Sequence, residues 1–392
     1  MSKKRIGILT GGGDVPPLNA LIAASIEASR DRNVELIGFI KGWQGVVENS
    51  YIPLNGVNVD AAIGGTILKS SRMKLDAVGG RARLAQENLG RLGIEGLIVV
   101  GGEDTLSNCF SLAGLPQVLI SKTIDNDVGM MPDNGRPIGQ DGILNYFTLG
   151  FPTAVRKISA FVSLREGLRS TAYSHERIIV VESMGMHAGW LALSSCLGRP
   201  DFIVIPEFTL DYETLASSVL ERYKKQKHAI IVVAEGARFS DGSHISADEH
   251  ERDEFGHPRF KGAAEVLAGR LKKDLKLAFD TRNVNSVNPS YLYRSGAPCR
   301  LDAKWAARLG REAVKALVDG SVKGRLFMGT RKTKRGFGLM RHALAEVEPK
   351  KLHRFVDSRL YDAGSHCATG EARRYLQAIA DEIPAGDYGI SC

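Results

Sequence analysis

Gly96-Leu97-Ile98-Val99-Val100-Gly101-Gly102-Glu103-Asp104-Thr105 opens on a short apolar run and ends in paired glycines and carboxylates. Downstream, Gln117-Val118-Leu119-Ile120-Ser121-Lys122-Thr123-Ile124-Asp125-Asn126-Asp127 repeats that plan with a lysine added. Such short apolar runs predict buried strands of a parallel sheet, and ligands gather beyond the carboxyl ends of those strands. The length between them suits about one helix. Glycines let backbone amides approach a phosphate, carboxylates hold magnesium or accept a proton, and lysine neutralises anionic charge. Together these residue types suit phosphoryl transfer. Gly-Gly and Asp-Asn-Asp are also common turn compositions, so a third segment of the same kind carries weight. Arg5–Thr10, followed by Gly11-Gly12-Gly13-Asp14-Val15-Pro16-Pro17-Leu18-Asn19, predicts a strand, a glycine-rich turn and a helix through about Arg30. It is neither a Walker A loop nor Gly-x-Gly-x-x-Gly.

A chain of 392 residues, 43% hydrophobic and 24% charged, is long enough for two cores. It has no run of roughly 18 apolar residues, and Met-Ser-Lys-Lys lacks a signal-peptide core, so the expectation is a cytoplasmic protein without a membrane role. Cys109, Cys196, Cys299, Cys367 and Cys392 form no Cys-x-x-Cys pair and read as reduced thiols. The net charge of +8 is spread out, with Arg331-Lys332-Thr333-Lys334-Arg335 the tight cluster. A small polyanionic substrate explains this excess better than nucleic acid does.

Strand-like and helical stretches alternate up to about residue 320, which predicts α/β architecture in two three-layer α/β/α lobes with mostly parallel sheets and a cleft between them. Further strands are expected at Glu35–Ile40, Arg177–Glu182, Phe202–Ile205 and Ala229–Ala234, and helices at Asp211–Lys224 and Asp302–Val318. Val128–Phe147 and Ser240–Arg259 read as irregular loops of functional length. His250, Glu251, Asp253, Glu254 and His257 match no metal-binding spacing and read as a solvated charged loop. The tail beyond Lys323 reads as a helix-rich appendage.

The ordered motifs resemble the phosphofructokinase family across roughly residues 4–318. Gly11–Asn19 is similar to that family's opening turn, with Pro17 where a glycine is usual. Gly64-Gly65-Thr66-Ile67-Leu68-Lys69-Ser70-Ser71-Arg72 resembles the segment whose arginine reaches the transferring phosphate, and Thr123-Ile124-Asp125-Asn126-Asp127 the catalytic loop. Arg177 resembles an arginine that serves the sugar phosphate of a neighbouring subunit. Met184-Gly185-Met186 and Glu235 resemble the sugar-binding positions, with Met186 where arginine is usual. Tyr291 and Arg294 stand in a segment like the one that holds the 6-phosphate, although Asn285 replaces a common basic residue upstream of it.

The resemblance implies transfer from a donor bound by Gly12, Gly13, Asp104, Thr105 and Lys122. Asp125 is the expected base, aided by Thr123, Lys122, Asp104 and Arg72, with Mg2+ at Glu103 and Asp127. The acceptor, fructose 6-phosphate, would be bound by Thr123, Asp125, Arg177, Met184, Gly185, Met186, Glu235, Tyr291 and Arg294. Asp104 and Lys122 stand where ATP-dependent members resemble one another in carrying glycine, and that pairing marks the pyrophosphate-dependent type. A carboxylate opposes a nucleotide phosphate by charge and bulk, where a glycine leaves space and a free amide. The alternatives are ATP as donor, and a sugar-phosphate-binding regulator without catalysis. A donor lobe of 1–148 plus about 250–300, a sugar-phosphate lobe of 149–249 plus about 301–322, and a 323–392 extension are expected, in a homodimer or homotetramer.

Overall fold

The computed structural model describes residues 3–75, 79–129, 145–252, 258–260, 262–276, 283–344 and 353–380. Two compact units emerge, each assembled from separate stretches of chain. The first takes the residues up to Thr153 together with Arg294–Arg354; the second takes Ala154–Tyr293 and the segment from Phe355 onward.

The first unit's sheet runs in space Gly336–Ala343, Arg325–Thr333, Gln117–Thr123, Ile94–Gly101, Arg5–Thr10, Glu35–Phe39 and Tyr51–Pro53. Its interior pairings are parallel, and the strands at the two edges run antiparallel to their neighbours. Ile6, Ile8, Leu97, Ile98, Val99, Val118, Leu119 and Ile120 are all fully buried. Strands covered on both faces need such continuous apolar runs. One cover is the helix Leu18–Asp31 packed on the helix Arg300–Val318. The latter buries Trp305, Leu309, Ala313 and Leu317 at helical spacing.

The second unit holds an all-parallel sheet in the order Val284–Val287, Ile178–Ser183, Ala229–Ala234, Phe202–Val204. Ile178, Val180, Ile231 and Val233 pack with Leu215 and Val219 of the helix Tyr212–Gln226, and with Leu267 and Leu271 of the helix Ala263–Asp274. Asp211 caps the first of these helices, accepting from the Thr214 amide at 3.3 Å. The α/β architecture with mostly parallel sheets is thus present, and the expected strands and helices lie within a few residues of their observed bounds.

The partition of the chain differs from the sequence expectation. Residues 301–322 join the first unit, because the Arg300–Val318 helix packs on Leu18–Asp31. Most of the described part of 250–300 joins the second, whose sheet takes in Val284–Val287. Among the described residues, the tail beyond Lys323 is not a helix-rich appendage. Arg325–Thr333 pairs in parallel with Gln117–Thr123, and Gly336–Ala343 returns beside it as a hairpin. The basic Arg331–Arg335 cluster falls at that hairpin's turn, where its charges hid a strand signal. Most of the Val128–Phe147 insertion, residues 253–257 of the charged loop, and Cys392 lie outside the described residues. Cys109, Cys196 and Cys299 are buried cysteines, and Cys367 is a half-buried one. Among the described residues, no helix is long and apolar enough to cross a membrane.

Candidate active site

Three turns meet at the carboxyl edge of the first unit's sheet. The Gly11 amide donates to the Val100 carbonyl at 3.0 Å, which ties the first glycine turn to the end of the Ile94–Gly101 strand. The Gly12 amide donates to Ser71 O at 2.8 Å and the Ser70 hydroxyl donates to Gly12 O, so the Gly64–Arg72 segment lies against the same turn. Asn19 holds that segment from the helix side, its amide donating to Gly65 O and its Oδ1 accepting from the Ile67 amide at 2.9 Å. Gly12 has φ +79°, and a Cβ there would lie 3.4 Å from Lys122 Nζ. The turn needs glycine both for its backbone and for the approach of that ammonium.

Lys122 is 2% exposed, and its Nζ donates to Gly13 O. Burial, reinforced by the nearby Arg294 and Arg72 guanidinium groups against the pull of Asp14 and Asp125, lowers its pKa to about 7. Arg294 reaches the Asp14 carbonyl at 3.5 Å. Cations therefore converge on this glycine turn, and an anion arriving there meets a lysine and two arginines together.

After Lys122 the chain turns sharply. The Thr123 hydroxyl accepts from the Asp125 amide at 3.0 Å and sits 3.4 Å from Asp125 Oδ2, orienting the carboxylate. Asn126 takes φ +54°, and its Oδ1 accepts from the Thr148 amide at 3.1 Å. Asp127 is half-buried, and burial raises its carboxyl pKa against the opposing effects of backbone hydrogen bonding, His353 and Arg354. Its Oδ1 is buried without a hydrogen-bond partner among the described residues. Glu103 Oε2 lies 3.7 Å from His353 Nε2, a ring that also stands near enough to Asp127 to influence it. One or two carboxylates with substrate phosphates suffice for magnesium, so Asp127 and Glu103 fit such an ion.

Asp104 is exposed and forms an ion pair with Lys74 at 2.8 Å. Thr105 is buried, its carbonyl accepting from the Trp43 indole at 2.8 Å. The sequence reading missed Lys74, two positions after Arg72, and it missed His353 and Arg354 entirely. Only Lys74 carried a local signal, a cation in a segment already singled out.

The second unit gathers another group. Met184-Gly185-Met186 follows the Ile178–Ser183 strand, and the Gly185 amide donates to Glu235 Oε1 at 3.1 Å. A Cβ on Gly236 would strike the Met186 carbonyl, so the two strand ends touch backbone to backbone. Met186 is itself 44% exposed. Arg177 precedes the same strand and bonds Thr171, so it lies at the opposite end, about 20 Å away at 3.3 Å per residue. Tyr291 is 73% exposed in the second unit, whereas Arg294 belongs to the first.

A profile for the family described as phosphofructokinase matches residues 5–317. The pyrophosphate–fructose 6-phosphate 1-phosphotransferase of Dictyoglomus thermophilum is 38% identical over 337 residues, 84% of this chain and 90% of that protein. ATP-dependent 6-phosphofructokinase 3 of Streptomyces coelicolor is 36% identical over 323 residues, 81% of this chain and 88% of its own. The crystal structure of a pyrophosphate-dependent phosphofructokinase from Nitrosospira multiformis superposes with a TM-score of 0.79, covering 99% of this chain and 95% of that one, at 21% identity. At that identity the superposition speaks for the fold alone. The family match takes in both glycine turns, the buried lysine and the carboxylate turn, from the first strand to the Arg300–Val318 helix, and on it the chain belongs to the phosphofructokinase family.

Proposed function

We propose that this phosphofructokinase-family enzyme moves a phosphoryl group from pyrophosphate to the 1-hydroxyl of fructose 6-phosphate, with release of phosphate. The observation that carries the donor assignment is Lys122, a fully buried cation against the first glycine turn. It supplies at one point the charge that a compact, highly anionic donor requires. Gly12, Gly13 and Thr105 line the donor edge. Asp125, oriented by Thr123, takes the hydroxyl proton as O1 attacks phosphorus in line. The new O1–P bond forms as the bridging P–O bond breaks and phosphate leaves. Lys122, Arg72 and Arg294 balance charge on the phosphoryl oxygens, and positioning does most of the work. Magnesium held by Glu103 and Asp127 would neutralise donor phosphate charge. Met184, Gly185, Met186 and Glu235 make the sugar contacts, with Tyr291 at the 6-phosphate and Arg177 serving a neighbour's site. The enzyme is then a cytoplasmic homodimer or homotetramer.

A coupled assay with pyrophosphate and ATP side by side tests the donor. Pyrophosphate should support turnover and ATP little or none; higher activity with ATP overturns the assignment. The rival reading, ATP as donor, draws on the Lys74–Asp104 pair, which cancels part of the charge that would repel a nucleotide. Relatives named for either donor are also similarly close. Lys74→Ala separates the two, because unmasking Asp104 should further depress any ATP activity while leaving pyrophosphate turnover within about threefold.

A further inference from the structure

Arg354 is 1% exposed and enters the first unit from a part of the chain that the family match does not reach. Its Nε donates to the Asn126 carbonyl at 2.6 Å, one Nη donates to Asn126 Oδ1, and the other donates to the Asn145 carbonyl at 2.6 Å. Its own amide donates to the Asp127 carbonyl at 2.9 Å, and the adjacent His353 bridges Val128. The guanidinium fork thus clasps the backbone between Asp125 and Asp127, where Asn126 holds a left-handed conformation that costs energy for any residue with a side chain. Asn145, on the far side of the fork, is itself anchored, donating to the Ser121 hydroxyl at 2.7 Å beside Lys122.

We propose that Arg354 is a positioning residue for phosphoryl transfer, holding Asn126 so that Asp125 faces the acceptor hydroxyl while Asp127 stays aimed at the donor edge. The inference rests on the reading of Asp125 as the base. A planar fork with parallel donors fixes orientation as well as distance, which the single-point ammonium of lysine cannot do. A shift of about 1 Å in a reacting group is enough to cost about a hundredfold in rate.

The test uses the full chain with the donor that the wild type prefers. In Arg354→Ala, kcat should fall about 30- to 100-fold while KM for donor and sugar phosphate stays within about threefold. Millimolar guanidinium should restore part of the loss in Arg354→Ala and none in Asp125→Asn. Arg354→Lys should fall nearly as far as Arg354→Ala. Asn126→Gly keeps the left-handed backbone but removes the Oδ1 acceptor, and it should lower kcat without adding to the Arg354→Lys defect. If Arg354→Ala does not fold, that Arg354→Lys and Asn126→Gly cycle decides, and additive losses overturn the proposal. Unchanged kcat in the arginine variants, beside an inert Asp125→Asn, sinks the positioning role alone. An active Asp125→Asn sinks the base assignment on which it stands.

Discussion

At Lys122 an amine is buried before any ligand arrives. Its pKa of about 7 means that the empty site holds little ammonium above neutrality. An anionic phosphate beside it favours the charged form, so binding should take up protons. Titrating pyrophosphate calorimetrically at about pH 8 in buffers of different ionisation enthalpy should reveal that uptake, and Lys122→Met should abolish it. Equal apparent enthalpies in all buffers would contradict the assignment. The same group shapes stability. The folded pKa lies below the ordinary 10.5, so its contribution is present above that value and is lost as pH falls through about 7. Lys122 and Asp125 were legible in the sequence because they follow a short apolar run that reads as a strand, although the Gly13 partner of Lys122 lies 109 positions away. Lys74 and Arg354 were not, because each matters only through a partner that the fold brings to it from a distant part of the chain.

Among the elements of the first unit, Asp302 of the Arg300–Val318 helix meets Gly150 and Thr153, at the start of the Phe151–Val162 helix. Asp302 is fully buried and accepts from the Gly150 amide at 3.0 Å and from the Thr153 hydroxyl at 2.6 Å. Asp302→Ala should cost about 2–4 kcal/mol in urea unfolding, because buried donors lose a charged acceptor. Burial raises the Asp302 pKa to about 6 from 3.8, so its share of stability is fullest below 3.8 and is lost as pH rises through 6. The melting-temperature difference between wild type and Asp302→Asn should therefore move against the wild type as pH rises across that window; an unchanged difference would fault the pKa. The strands themselves were readable from short apolar runs. The hairpin Arg325–Ala343 was not, since parallel pairing with Gln117–Thr123 bridges some two hundred residues and leaves no mark in local pattern.

For the whole molecule, the two-unit partition was misread for the same reason: helix-on-helix packing, rather than chain order, decides which unit a segment joins. Arg177, at the far end of its strand from Met184, makes a single chain's sugar site incomplete in the proposed scheme. Mixed oligomers of Arg177→Ala and Asp125→Asn chains should then regain a fraction of wild-type turnover, since one site per pair recovers both residues. Verified mixed oligomers without recovery would refute a shared site. The clasp of Arg354 on Asn126 also sets an order of events during biosynthesis. The two residues are 228 positions apart. Translation at about 5–20 residues per second leaves roughly 10–50 s in which the turn has been made but not locked. A nascent chain released in that interval has its glycine turns and its lysine yet lacks the means to set its carboxylates. Setting that turn is therefore a late step in making the chain, one that waits for Arg354 however early Asn126 was added.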